Sequence, residues 1–404
     1  MHGTKINAMI KTIEESVNQG GCHMKKIVLI GPVYPYKGGI AHYTSLMYRA
    51  LSKKYDVELI SYKMQYPGFL FRKEQKDYRN DMFRIKEAQF LIHTANPLNI
   101  ISTARKIKKM HPDLVIMQWW HPYFAPCYHI LETALGRKIK KLFVCHNVFP
   151  HERFPMDRLL TKMVLKKADY FLVHSQSDGA DLRTIKPDAR YRQNPHPTYN
   201  AFQIRNMTKA QARAELERLS GKKDRSGKLL LFFGFVREYK GLKHLIQAMP
   251  DIRERLGGVT LLVVGAFGSD KEDYLHLIEQ NHVQDCIEVI DGYTPDNEVE
   301  VYFSACDMVV LPYESATQSG IVQIAYGFQK PVIVTNVGGL PDVVTDNGTG
   351  YIVEPRNPRQ LADAVVRFYQ EDMEEAFVEK VKKEAVRFSW DRLTEKVEEL
   401  LRDE

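Results

Sequence analysis

Short apolar runs alternate with helical patterns along the whole chain. In the first half, runs at 27–30, 57–61, 114–118, 142–145 and 171–174 read as strands, and the spacing of apolar positions between them predicts helices at 41–53, 97–110 and 156–167. The second half repeats the arrangement, with strands at 230–233, 260–264, 287–290, 308–311 and 332–335. These runs are continuously apolar, as in strands buried on both faces, and strands separated by helices pair in parallel. The pattern therefore predicts an α/β chain of two doubly wound, Rossmann-like domains facing each other across a cleft. Each should carry its binding crevice at the carboxyl ends of its strands.

The boundary falls at 193–198, where Pro195 and Pro197 interrupt both periodicities. A helical register resumes at 208–219, so the domains are placed at 24–200 and 201–385. The closing segment keeps Leu393, Val397, Leu400 and Leu401 at helical spacing and needs a surface to cover. It is expected to form a C-terminal unit, 386–404, returning to the first domain. Residues 1–23 are polar and a second methionine, Met24, stands directly before the first strand, so 1–23 reads as an extension without an assigned role.

Composition narrows the class. With 404 residues, 44% hydrophobic and 26% charged, the chain can build two substantial cores, which excludes a disordered protein. No apolar run approaches the roughly 18 to 20 residues of a membrane-spanning helix, and the N-terminus has no signal-peptide pattern. The five cysteines include no C-x-x-C pair and no Cys/His cluster with zinc spacing, which points to a reducing, cytoplasmic setting and to no metal site. The net charge of +7 hides an asymmetry. Residues 1–200 hold 32 Lys+Arg against 16 Asp+Glu, and the remainder hold 25 against 34. The basic half concentrates its cations at 105–109, at 137–141 and at Lys162, Lys166 and Lys167. Either these are ordinary solvated helix faces or they meet an acidic acceptor or an anionic membrane surface, with the protein peripheral on its inner face. Nucleic acid is not expected, because no aromatic stacking array accompanies the cations.

Four constellations carry chemistry, all at predicted strand ends. After the first strand, Gly38 and Gly39 precede a helix whose free N–H groups would face the crevice. After the fourth, His146 stands where ligands gather, able to contact a sugar hydroxyl, with His151 and Glu152 further along the loop. In the second domain, Gly234 ends a buried strand and Arg237 and Lys240 follow before a helix beginning near Gly241. Two fixed cations and a helix N-terminus at one spot suit a phosphate. Last, Thr317, Gln318, Ser319 and Gly320 open a helix running to about Gln329, and a further glycine turn follows at Gly338 and Gly339. Gly265 and Tyr293 are lesser candidates on the same rim, Tyr293 for packing on a base or ribose. No Asp-x-Asp occurs, so Lys and Arg would have to neutralise a diphosphate.

From Lys25 to the C-terminus this pattern resembles the retaining glycosyltransferases of family four, of GT-B architecture. The resemblance rests on the Gly38-Gly39 loop, His146, the segment 234–241, Lys330-Pro331, the 337–341 glycine turn and the Phe388-Ser389-Trp390 lead into the closing helix. It implies that the second domain binds a UDP- or GDP-linked sugar donor with Arg237 and Lys240 on its diphosphate. It also implies that His146 lies near the donor sugar and that a glycan or lipid-linked acceptor meets the first domain. Transfer would proceed with retention and without a metal or other cofactor. Two departures stand out: Phe235 occupies the place of the family's arginine, and Ala316 and Ile324 occupy the places of two glutamates, leaving Glu314 as a nearby carboxylate for a hydroxyl contact. Rival readings are a sugar-nucleotide epimerase on the same architecture and a non-catalytic partner subunit.

Overall fold

The computed structural model describes residues 24–68, 75–78, 81–150, 156–221 and 227–402. The expected extension 1–23 and the loop residues His151 and Glu152 lie outside them. Two parallel sheets form. The first runs β1 (Lys26–Ile30), β2 (Asp56–Met64), β3 (Gln89–His93), β4 (Leu114–Trp119), β5 (Lys140–Cys145), β6 (Tyr170–Val173) and β7 (Tyr191–Gln193), in spatial order 3-2-1-4-5-6-7. The second runs β8 (Lys228–Phe233), β9 (Val259–Gly265), β10 (Ile287–Asp291), β11 (Met308–Leu311), β12 (Val332–Thr335) and β13 (Gly350–Val353), in order 10-9-8-11-12-13.

Each sheet reverses its order beside its first strand, between β1 and β4 and between β8 and β11, and these switch points open the crevices. The central strands are apolar because helices cover both faces; every residue of β4, β6, β11 and β12 is buried. Three strands had no counterpart in the sequence pattern, and each sits at or near an edge. β7 is three half-buried residues, only Ile92 of β3 is buried, and β13 opens on a glycine.

The segment between β7 and β8 crosses from one domain to the other. The buried Glu300 accepts hydrogen bonds from the backbone N–H groups of Ile204, Arg205 and Met207 at 3.0, 2.7 and 2.9 Å, which fixes the crossing on the second domain. The chain crosses back near its end. Trp390 Nε1 donates to the Thr198 carbonyl at 3.0 Å, and the helix Trp390–Arg402 buries Leu393, Val397, Leu400 and Leu401 against Tyr43, Met47 and Leu51 of the helix Gly39–Leu51. Lys53–Asp391, Lys54–Glu398 and Arg192–Glu399 ion pairs flank that contact.

Candidate functional site

The carboxyl ends of β8 and β9 turn against one another through two glycines. Gly234 has φ 103°, and at Gly265, φ 150°, an added Cβ would lie 1.9 Å from the Gly234 carbonyl oxygen, so no side chain fits there. Beyond this double turn a short helical turn, Glu238–Lys240, swings the Lys240 ammonium back toward Gly234. The ammonium is buried and lies 5.7 Å from the Tyr313 ring centre. No carboxylate pairs with it among the described residues. Burial, with the neighbouring Arg237 charge, pushes its pKa down to about 8. Arg237 itself stays exposed.

This turn is one wall of a cavity of about 180 Å³ between the domains. Of the predicted residues, Gly38, Gly39, Gly234, Lys240, Gly265, Tyr293 and Gly320 line it. Gly320 begins the helix Gly320–Gly327, two residues shorter than the pattern predicted, and Ser319 caps it by accepting from the Ile321 N–H at 3.2 Å. Most of the remaining lining is apolar, among it Phe202, Phe233, Val299 and Ile324. Such a mixture suits a nucleoside end lying on rings and an anionic end beside Lys240.

The remaining predicted residues sit elsewhere. Glu314 is held by Lys243 at 2.9 Å, His244 at 2.9 Å and Arg356 at 2.8 Å; burial alone would raise its pKa, and these three donors instead hold it down at about 2. Thr317 donates across the domain gap to Asn147, and Gln318 keeps its Oε1 buried without a partner among the described residues. His146 is buried behind the cavity, with Nε2 2.8 Å from Gln118 Oε1 and its ring among those of Tyr43, His174 and His196.

Two cavity residues escaped the sequence reading. His42, from the helix Gly39–Leu51, meets Asp296, at the start of the helix Asp296–Ala305, at 3.0 Å across the gap. The Tyr293 hydroxyl lies 3.4 Å from the same carboxylate, and Lys37 lies 5.3 Å from the Tyr293 ring centre. A histidine three positions past the predicted Gly38-Gly39 turn was the available signal; its partner lies 254 positions away.

Comparison with known proteins agrees with this geometry. Residues 37–196 match the family described as Glycosyltransferase Family 4, and residues 227–371 match Glycosyl transferases group 1. An uncharacterised glycosyltransferase of Methanocaldococcus jannaschii is 32% identical over 171 residues, 41% of this chain and 42% of that protein. A D-inositol 3-phosphate glycosyltransferase of Corynebacterium diphtheriae is 28% identical over 186 residues, 44% of this chain and 42% of that protein. The match thus spans less than half the length of these curated relatives. Among solved structures, sucrose-phosphate synthase of Thermosynechococcus elongatus superposes with TM-score 0.70 at 18% identity, covering 94% of this chain and 98% of that one. HepE of Anabaena, in complex with UDP and glucose, superposes with TM-score 0.71 at 14% identity, covering 95% and 100%. These likenesses show the GT-B fold, and with one family match on each domain the chain belongs to the group 1, family 4 glycosyltransferases.

Proposed function

We propose that this protein transfers a glycosyl group from a nucleoside-diphosphate sugar, UDP- or GDP-linked, to an acceptor held against the first domain. The observation that carries the reading is the Lys240 ammonium, buried without a counter-anion among the described residues beside a double glycine turn and a helix start. A buried cation is costly unless it is paired, and a diphosphate supplies the missing charge. Lys240 would bind it from inside the cavity, and Arg237 from the exposed side. Both would stabilise the leaving diphosphate as negative charge builds on it, while closure of the domains excludes water.

Retention of configuration and independence from a metal at the diphosphate belong to this proposal. So does an acceptor that is a glycan or a lipid-linked sugar. The binding of UDP and glucose by HepE of Anabaena supports a sugar-nucleotide donor on this fold. At the amino ends of β5, β6 and β7, on the opposite edge of the sheet from the cavity, Arg137, Lys140, Lys167, Lys186 and Arg190, with Asp169 and Asp188 among them, line a pocket of the first domain suited to an anionic membrane surface. Among the described residues no helix is long and apolar enough to cross a membrane, so attachment would be peripheral. A thermal-shift screen of nucleoside diphosphates in EDTA tests the core of the reading, because a ligand that binds only the native state raises its melting temperature. One of UDP or GDP should raise it in the unaltered chain and fail to do so in Lys240→Met. No shift with any diphosphate would sink the proposal.

A further inference from the structure

Three histidines that do not line the cavity meet beneath the rim of the first sheet. His146 follows β5, His174 follows β6 and His196 lies in the crossing after β7, so the strand order 5-6-7 delivers all three to one place. Their ring centres are 5.3 Å (His146 to His174), 5.0 Å (His174 to His196) and 6.0 Å (His146 to His196) apart. One ring nitrogen from each lies within 4.8 Å of the others, and all three side chains are buried.

The hydrogen bonds fix where the protons are. Nε2 of His146 faces the Gln118 Oε1 at 2.8 Å, Nδ1 of His174 faces the Asn194 carbonyl at 2.8 Å, and Nδ1 of His196 faces the Pro197 carbonyl at 3.4 Å. Carbonyl oxygens only accept, so those nitrogens carry the protons and the opposite ones carry lone pairs. Nδ1 of His146 and Nε2 of His174 have no partner among the described residues. Nε2 of His196 has the Tyr199 hydroxyl at 3.3 Å, a group that also reaches the Gly39 carbonyl at 3.5 Å. Tyr43 packs its ring 4.6, 5.4 and 4.7 Å from the three imidazoles, and its buried hydroxyl is likewise without a partner. Burial and mutual repulsion lower the pKa of His146; burial lowers that of His174, to about 4, and burial with the His174 charge lowers that of His196.

Buried lone pairs on His146 and His174 without donors among the described residues, with that of His196 beside them, call for an occupant. A tetrahedral metal at 2.0–2.1 Å from each nitrogen sets imidazole ring centres roughly 5 Å apart, close to the spacing seen here. Metal-bound histidines also donate their other N–H to a carbonyl or amide oxygen, as all three do here. We propose that His146, His174 and His196 bind a divalent transition-metal ion of the zinc type, with the fourth position left to the Tyr43 hydroxyl or a water. The ion would tie the ends of β5 and β6 to the domain crossing. It would carry no step of glycosyl transfer.

Co²⁺ is the probe. Full-length protein stripped with chelator and incubated with equimolar Co²⁺ should retain one ion per chain through desalting and show the intense visible bands of tetrahedral cobalt. Zn²⁺ should displace it and raise the melting temperature. His174→Asn and His196→Asn should each weaken Co²⁺ binding more than tenfold, and His174→Cys should restore binding with added thiolate-to-cobalt absorption. The unaltered chain decides the matter even if a variant fails to fold. No retained Co²⁺ or Zn²⁺ and an unchanged melting temperature would overturn the site and leave a buried water in its place.

Discussion

The two rims that face each other across the domain gap are unfinished in opposite senses. The second domain presents a cation with no anion among the described residues, Lys240 with Arg237 beside it. The first presents lone pairs without protons, on His146 and His174. Other carboxylates on the same scaffold are complete: Glu314 is closed by Lys243, His244 and Arg356, and Glu300 by three backbone amides. The fold can therefore satisfy buried charge where it needs to. Glu132, near Lys141 and Lys167 and away from both rims, also keeps its carboxylate oxygens buried without a partner among the described residues; on the rims themselves, the two gaps are where the proposed ligands of opposite character would bind, an anion on one and a metal cation on the other.

The largest test of this contrast is acid. His174 titrates near 4 when folded and near 6.5 when unfolded. Between these values the unfolded chain binds the proton and the folded chain does not, so stability falls as pH drops through that window, by roughly 3 kcal/mol for this group alone. His146 and His196 are shifted in the same direction and add to the loss. Urea unfolding at pH 7.5 and at pH 5, in chelator, should register about 2 kcal/mol of that loss from His174. Equal stability at the two values would mean that the imidazoles are hydrated, and the first rim would lose its distinction.

The second test reverses the usual sign of a mutation. Because Lys240 titrates near 8 rather than near 10.5, its buried ammonium weakens the unliganded fold below pH 8 by up to roughly 3 kcal/mol, and stability recovers as pH rises toward 10.5. Lys240→Met should therefore melt higher than the unaltered protein at pH 7 while binding UDP or GDP about 10- to 100-fold more weakly. In the unaltered chain, nucleotide affinity should be flat below pH 8 and fall above it, as the ammonium loses its proton. Glu314→Gln makes the counter-case, since it leaves Lys243, His244 and Arg356 undercompensated and should melt lower. A destabilised Lys240→Met with unchanged nucleotide affinity would place Lys240 among ordinary structural lysines.

The two rims also differ in how far the sequence reveals them. Gly234, Arg237, Lys240 and Gly241 fall within eight consecutive residues after a buried strand, so local spacing shows their chemistry. The continuous apolar runs show the strands that carry both rims, because strands covered on both faces cannot alternate. Helix ends are less legible: the pattern at 41–53 is the helix Gly39–Leu51, and 156–167 is Asp157–Leu165, since terminal turns depend on caps rather than on apolar period. The histidine cluster has no metal-like spacing. Its members lie on three successive strand ends, and only the parallel order of β5, β6 and β7 brings them together.

The smallest expected effect concerns what holds the rims together before any ligand arrives. His42 and Asp296 are both mostly buried, 13% and 12% exposed, and their 3.0 Å contact joins the domains at the cavity. Asp296 also stands in the first turn of its helix, where the free N–H groups favour a carboxylate. Asp296→Asn keeps the shape and removes the charge, so both attractions weaken, by about 1 kcal/mol together. Hydrogen exchange should quicken at 37–43 and 292–299 in the unliganded protein. Bound nucleotide, proposed to reach from Lys240 and Tyr293 of the second domain to the Gly38-Gly39 turn of the first, should narrow the difference between variant and unaltered chain. Exchange that is unchanged without nucleotide would show that the rims meet through Thr317 and Asn147 and the crossing helix alone, and that the charged pair follows closure rather than helping to set it.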